Sequence, residues 1–231
     1  MTEETKVEVN EQEVVSDEKP LNNYENPIII NAFKTPAIMA FPFKDDVKYL
    51  RDFAVSLPVI DPEANLIQSK NDHVLDLEEF KELKEFCDKC IKHYIKIECG
   101  SNHPVEITQS WINILKRYYG HPEHKHSNSY LSGVFYLDVP SEGGSPITFK
   151  RLDDPFSFQL GDEGDDFPGN HFPAVHNVYT APSHNGYLLL FPSTMYHSVN
   201  INNLRSARMS LSFNTYPKRP FGTKEHFGYV R

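Results

Sequence analysis

The order of elements along the chain predicts an α+β domain, mainly β, in which a double-sheet jelly roll carries N-terminal helices on one side. Three observations point there: an amphipathic stretch before residue 100, six or more strand-like runs after Glu106, and Gly, Pro or Asn between those runs. With 231 residues, 39% of them hydrophobic, the chain suits one domain with a sizeable core.

Residues 1–25 carry many acids, scattered valines and no aromatic before Tyr24. Such a segment buries too little apolar surface to offset chain entropy, so a disordered acidic tail is expected. The folded domain is expected over 26–218, with 219–231 as a C-terminal extension. It opens on two short apolar runs, Ile28-Ile29-Ile30 and Ala37-Ile38-Met39-Ala40. Pro27, Pro36 and Pro42 punctuate them, as in interrupted strands.

A helix is predicted near 45–57, stopped by Pro58, and a second over about 76–96. In the second, Phe80, Leu83, Cys87, Cys90, Ile91 and Tyr94 recur at helical spacing on one face. Glu78, Glu82, Lys89 and Lys92 occupy the rest, so the apolar face should pack on a sheet. The strand-like runs are ITQSWINILKRYY, LSGVFYLDV, PITFK, HNVYTAP, GYLLLFPS and ARMSLSFNTY. Between them, Leu152 to Pro173 is acidic, contains Gly and Pro, and is long enough for a functional loop or lid.

Composition bounds the function. Lys plus Arg number 23 against 32 Asp plus Glu, a net charge of −9, which gives no electrostatic footprint for a nucleic-acid backbone. A small-molecule or peptidyl substrate is expected instead. No stretch approaches the roughly 20 apolar residues of a membrane span, and the acidic N-terminus lacks a signal peptide's regions; a cytoplasmic protein is expected. Three cysteines, Cys87, Cys90 and Cys99, fit a reducing compartment. Cys87 and Cys90 have the spacing of a redox or zinc pair, but no second pair accompanies them and both lie on the apolar helix face, where core packing is the better reading.

Four of the eleven histidines stand out: His121, His124 and His126 in GHPEHKHS, and His197 in LLLFPSTMYHSV. Residues two apart on an extended strand project to one face, so His124 and His126 can chelate one metal. With a distant histidine they form the layout of a facial triad, which leaves coordination positions open for chemistry. That triad ordinarily contains a carboxylate, whereas the second slot here is His126. His121 and Glu123 offer an alternative pair with a true carboxylate, interrupted by Pro122.

Alternation sorts the last strand. Arg208, Ser210 and Ser212 point one way and Met209, Leu211 and Phe213 the other, so a guanidinium and two hydroxyls line a cavity. A buried Arg requires an anion, and a dicarboxylic co-substrate that chelates iron at one end has a distal carboxylate to offer it. Trp111 and Asn113 share a face and are either barrel packing or, for Asn113, a co-substrate contact. Ser132 and Tyr136 also share a face; Tyr136 can bond a carboxylate or sit in the core.

Four phrases occur in order: Ser110-Trp111-Ile112-Asn113; His124-Lys125-His126 running into Leu131-Ser132-Gly133-Val134-Phe135-Tyr136-Leu137; Leu190-Phe191-Pro192-Ser193 with His197; and RMSLSFN from Arg208 to Asn214. Together they make the chain resemble the 2-oxoglutarate-Fe(II) oxygenases of bacteria and bacteriophages, distant relatives of prolyl hydroxylases, over about Ile28 to Pro217. The resemblance implies a double-stranded β-helix and Fe(II) held by His124, His126 and His197. It also implies a salt bridge from Arg208 to 2-oxoglutarate; by their strand faces Ser210, Asn113 and Tyr136 are further co-substrate candidates, and hydroxylation of a second substrate is expected. Ser127 stands where the family's usual proline follows the second histidine, and the 152–173 stretch is longer than expected. Two other readings stay open: a three-histidine, cupin-type dioxygenase that does not use 2-oxoglutarate, and a jelly roll that holds a metal passively. Oligomeric state is not legible in the sequence.

Overall fold

Two antiparallel sheets and two helices make up the fold in a computed structural model that describes residues 36–142, 144–151 and 178–222. The tail expected over 1–25, the run Ile28 to Ile30 and the 152–173 stretch lie outside the described residues.

The elements follow as β1 (Met39–Pro42), α1 (Val47–Ser56), β2 (Leu66–Gln68), α2 (Lys81–Cys99), β3 (Val105–Leu115) and β4 (His121–His124). After them come β5 (Leu131–Asp138), β6 (Ile147–Lys150), β7 (Val178–Ala181), β8 (Tyr187–Pro192), β9 (Tyr196–Val199) and β10 (Arg208–Pro217). The major sheet has the order β1-β8-β5-β10-β3-β2 and the minor sheet β4-β9-β6-β7. This is the mainly β, double-sheet architecture predicted from element order.

Helix α1 starts where Asp46 caps it, accepting from the Lys48 and Tyr49 amides at 2.9 and 3.3 Å. Helix α2 ends at Gly100, whose φ of 60° suits a residue without Cβ and whose N–H donates to the Ile95 carbonyl. It begins later than the predicted residue 76. Leu77 adopts an extended ψ of 144°, so 74–80 forms two short turns instead of the helix's first turns. The break lets Val74, Leu75 and Phe80 all become buried, with the Leu75 amide donating to Ser110 Oγ at 2.9 Å.

The predicted α2 face, Leu83, Cys87, Cys90, Ile91 and Tyr94, packs with Phe135, Leu188, Leu190, Leu211 and Phe213 from the major sheet. Full burial of such side chains stabilises by roughly 1.5–3 kcal/mol each relative to exposure. Burial pushes the Cys87 thiol well up and the Cys90 thiol up to about 12, so both act as core side chains and not as thiolates. A second cluster, with Val134, Tyr136, Ile147, Phe149, Leu189 and Phe191, fills the space between the sheets.

One glycine couples these layers. A Cβ on Gly133 would lie 2.1 Å from Cζ of Phe213, a ring with no exposed surface. Gly133→Ala is therefore expected to destabilise by roughly 1–3 kcal/mol or more through overpacking. That corresponds to roughly 2–12 °C in melting temperature for a chain of this size. A melting curve within a degree of wild type would show that the Phe213 ring can move aside.

Candidate active site

The inner faces of the two sheets flank a cleft that is partly open to solvent. Period-2 alternation on β10 sends Arg208, Ser210 and Ser212 into it, while Met209, Leu211 and Phe213 join the helix-covered core, as the sequence predicts. From β3, Trp111, Asn113 and Leu115 line the same cleft, and β2 adds Leu66 and Gln68.

The histidines arrive from the minor sheet. On β4, His121 pairs with Val199 and His124 with His197, so β4 advances three residues while β9 advances two. The extra residue is a bulge, and it brings both His121 and His124 to the cleft side. His126 stands two residues beyond the end of β4 and not within the strand, held by its amide donating to the Ser193 carbonyl at 2.8 Å. One nitrogen from each of His124, His126 and His197 falls in a group spanning no more than 4.8 Å, close enough to meet a single ion. Their ring centroids lie 4.3 Å (His124 and His197), 5.2 Å (His126 and His197) and 5.3 Å (His124 and His126) apart.

Hydrogen bonds set the tautomers. Nδ1 of His124 lies 2.9 Å from the Pro122 carbonyl oxygen, Nδ1 of His197 lies 2.9 Å from that of Met195, and Nδ1 of His126 meets Asn214 Oδ1. An oxygen that can only accept requires the proton on Nδ1, which leaves Nε2 bare as a donor to a metal. His121 touches His124, with ring centroids 4.2 Å apart, but stands outside the group of three. Glu123 pairs with Lys150 Nζ at 3.5 Å and is absent from the cleft lining. The His121 and Glu123 alternative is therefore not assembled.

Burial, reinforced by the neighbouring imidazoles, pushes the His197 pKa down to about 4. Burial also lowers His126 and His121, although the Asn214 bond works the other way on His126. All three thus favour the neutral, ligating form near neutral pH. Between pH 6.5 and about 4 the unfolded chain takes up the His197 proton before the folded one does, so stability falls as pH falls through that window. For the metal-free protein at pH 5, His197 alone should lower stability by about 2 kcal/mol, roughly 4–8 °C. Melting curves in chelator at pH 7.5 and 5 check this, and His197→Gln should flatten the difference.

Arg208 is only 3% exposed, with its guanidinium carbon 4.9 Å from the centre of the Tyr136 ring. Arg208 Nε and Tyr136 Oη are both buried without a hydrogen-bond partner, and no carboxylate among the described residues pairs with Arg208. A buried cation and a buried hydroxyl without partners are complementary to an incoming anion. Arg208 and Ser210 line the cleft, whereas Tyr136 stands behind Arg208 in the buried cluster between the sheets and is not part of the lining. Asn113 differs from the other co-substrate candidates. Its Oδ1 accepts from Gln68 Nε2 at 3.0 Å and its Nδ2 donates to Ser212 Oγ at 3.0 Å, so its amide is tied into the cleft wall.

Three features of the site go beyond what the sequence predicts. Strand β9, which carries His197, has only four residues, YHSV, too few for a periodicity signal. Gln68 sits on a three-residue strand with none at all. Asn214 does have a signal, because it continues the Arg208, Ser210, Ser212 alternation by one more step.

Among known proteins, the family model described as "Putative 2OG-Fe(II) oxygenase" matches residues 109–214. No curated protein sequence matches. Among solved structures, HygX from Streptomyces hygroscopicus, crystallised with nickel and 2-oxoglutarate, is similar at a TM-score of 0.53. It is 15% identical over 84% of this chain and 91% of its own. A 2OG-Fe(II) oxygenase family oxidoreductase from Burkholderia pseudomallei gives 0.53 at 12% identity, over 77% of this chain and 83% of its own. A Pseudomonas putida prolyl-4-hydroxylase gives 0.52 at 12%, over 80% and 94%. These likenesses establish the fold as the double-stranded β-helix. Residues 109–214, the span that this family model matches, contain all three clustered histidines and Arg208.

Proposed function

We propose that the protein is an Fe(II)- and 2-oxoglutarate-dependent dioxygenase that hydroxylates a small-molecule or peptidyl substrate. His124, His126 and His197 hold the iron, Arg208 with Tyr136 behind it receives the distal carboxylate of 2-oxoglutarate, and Ser210 lines its path. The observation that carries this reading is the buried Arg208, paired with no acid among the described residues, in the same cleft as three convergent imidazoles. When bound, iron and co-substrate supply the oxidising chemistry, coupling decarboxylation to oxygenation of a second substrate.

The chain's own contribution is geometric and electrostatic. Neutral imidazoles with bare Nε2 atoms present three lone pairs on one side and leave the other side open. The guanidinium gives an anion a fixed orientation, and the apolar wall of Val134, Ile147, Phe191 and Val199 limits water around it. Anaerobic titration of the metal-free protein with Fe(II) and then 2-oxoglutarate tests the reading. A weak visible charge-transfer band should appear only when both are present, and its absence would count against 2-oxoglutarate. The all-histidine donor set also suits a dioxygenase that uses no 2-oxoglutarate, with Arg208 binding the substrate's own carboxylate. Oxygen consumption with and without 2-oxoglutarate separates the two.

A further inference from the structure

The three clustered histidines do not owe their tautomers to the same kind of partner. His124 and His197 are bonded to backbone carbonyls, those of Pro122 and Met195, which no substitution removes. His124 Nδ1 also lies 3.0 Å from His121 Nδ1, but His126 alone has no backbone acceptor at Nδ1 and relies on a side chain, Asn214 Oδ1. That amide is itself held. Ser132 Oγ donates to Asn214 Oδ1 at 3.0 Å and lies 3.2 Å from His126 Nδ1. Ser132 Oγ also meets Ser193 Oγ at 2.9 Å, Ser193 donates to Ser129 Oγ at 2.7 Å, and Ser129 donates to the Leu131 carbonyl at 3.0 Å. Asn214 and Ser132 are register partners on β10 and β5, and Ser132 and Ser193 are fully buried. The arrangement is closed, neutral and carboxylate-free.

We propose that Asn214, braced by Ser132, is the positioning residue that makes His126 a metal ligand: its Oδ1 takes the Nδ1 proton and leaves Nε2 bare for the ion. This rests on the reading of His124, His126 and His197 as the metal site. An imidazole carries one proton when neutral, and without an acceptor at Nδ1 that proton can move to Nε2 and block ligation. The imidazole plane also loses its anchor, which matters more for His126 than for the others because it lies beyond the end of β4. Nothing else among the described residues accepts from His126 Nδ1 except Ser132 Oγ, and the Ser132 proton is already directed at Asn214 or Ser193.

The test uses Co(II) alone, followed by its visible absorption in the full-length protein, with no turnover required. Asn214→Leu, similar in volume but without an acceptor, should weaken Co(II) by about 10–100-fold. Asn214→Asp keeps the acceptor and should bind Co(II) at least as tightly as wild type. In a His126→Asp background the ligand has no Nδ1 proton to place, so adding Asn214→Leu should change Co(II) affinity by less than about threefold. A merely structural Asn214 would weaken Co(II) equally in both backgrounds, and that result overturns the proposal. Should Asn214→Leu fail to fold, a tenfold or greater loss of Co(II) affinity in Asn214→Asp overturns it just as well. Unchanged affinity in His126→Ala would instead overturn the metal-site assignment itself, and the proposal with it.

Discussion

Arg208→Ala is expected to weaken 2-oxoglutarate by about 30-fold to several thousand-fold while leaving metal affinity nearly unchanged. The range follows from the roughly 2–5 kcal/mol lost when one side of a buried, hydrogen-bonded charge pair is removed. The site supports the upper part of that range. Arg208 is buried, no acid among the described residues competes for it, and the Tyr136 ring holds its guanidinium from one side. An anion therefore gains a cation with no other protein partner to surrender. The asymmetry between co-substrate and metal is the diagnostic part, because the metal meets imidazoles and not the guanidinium. Arg208→Lys should recover little, since an ammonium lacks the planar fork that meets a carboxylate with two parallel hydrogen bonds. Isothermal titration of metal-loaded protein with 2-oxoglutarate reads the effect directly. Unchanged affinity in Arg208→Ala would favour the dioxygenase reading in which 2-oxoglutarate has no place.

Much of this site is legible in the sequence because long strands and helices announce their faces. Ten residues of β10 sort cleanly into a cleft side and a core side, and nineteen of α2 into a buried stripe and a solvated one. What stays hidden is short or irregular. The four residues of β9 and the three of β2 become strands because β6, β4 and β3 offer them partners, a tertiary cause with little local signal. The β4 bulge is likewise a matter of pairing. Strict alternation would separate His121 from His124, three residues on, yet the inserted residue puts both in the cleft. The late start of α2 has a similar origin, since an extended Leu77 places Val74, Leu75 and Phe80 in the core together, which a continued helix would not.

His126→Ala should weaken iron by about 100-fold, whereas Glu123→Ala should have almost no effect. The size follows from structural zinc sites, where roughly 10–16 kcal/mol over four ligands amounts to about 3 kcal/mol per ligand. Iron(II) sits lower than zinc in intrinsic affinity, so the absolute constants are weaker but the loss of one donor scales alike. Glu123 cannot substitute for the missing donor, because its carboxylate faces Lys150 on the side away from the cleft. His126→Asp provides the complementary result. A carboxylate at that position returns the site to two histidines and one carboxylate, places a negative charge against a dication, and needs no tautomer fixed at Nδ1. That variant should hold Fe(II) within about tenfold of wild type or better, far above His126→Ala. Competition against a chromophoric chelator under anaerobic conditions ranks all three. If Glu123→Ala lost iron and His126→Ala kept it, His121 and Glu123 would be the true pair, and the bulged β4 would have to rearrange to bring that carboxylate inward.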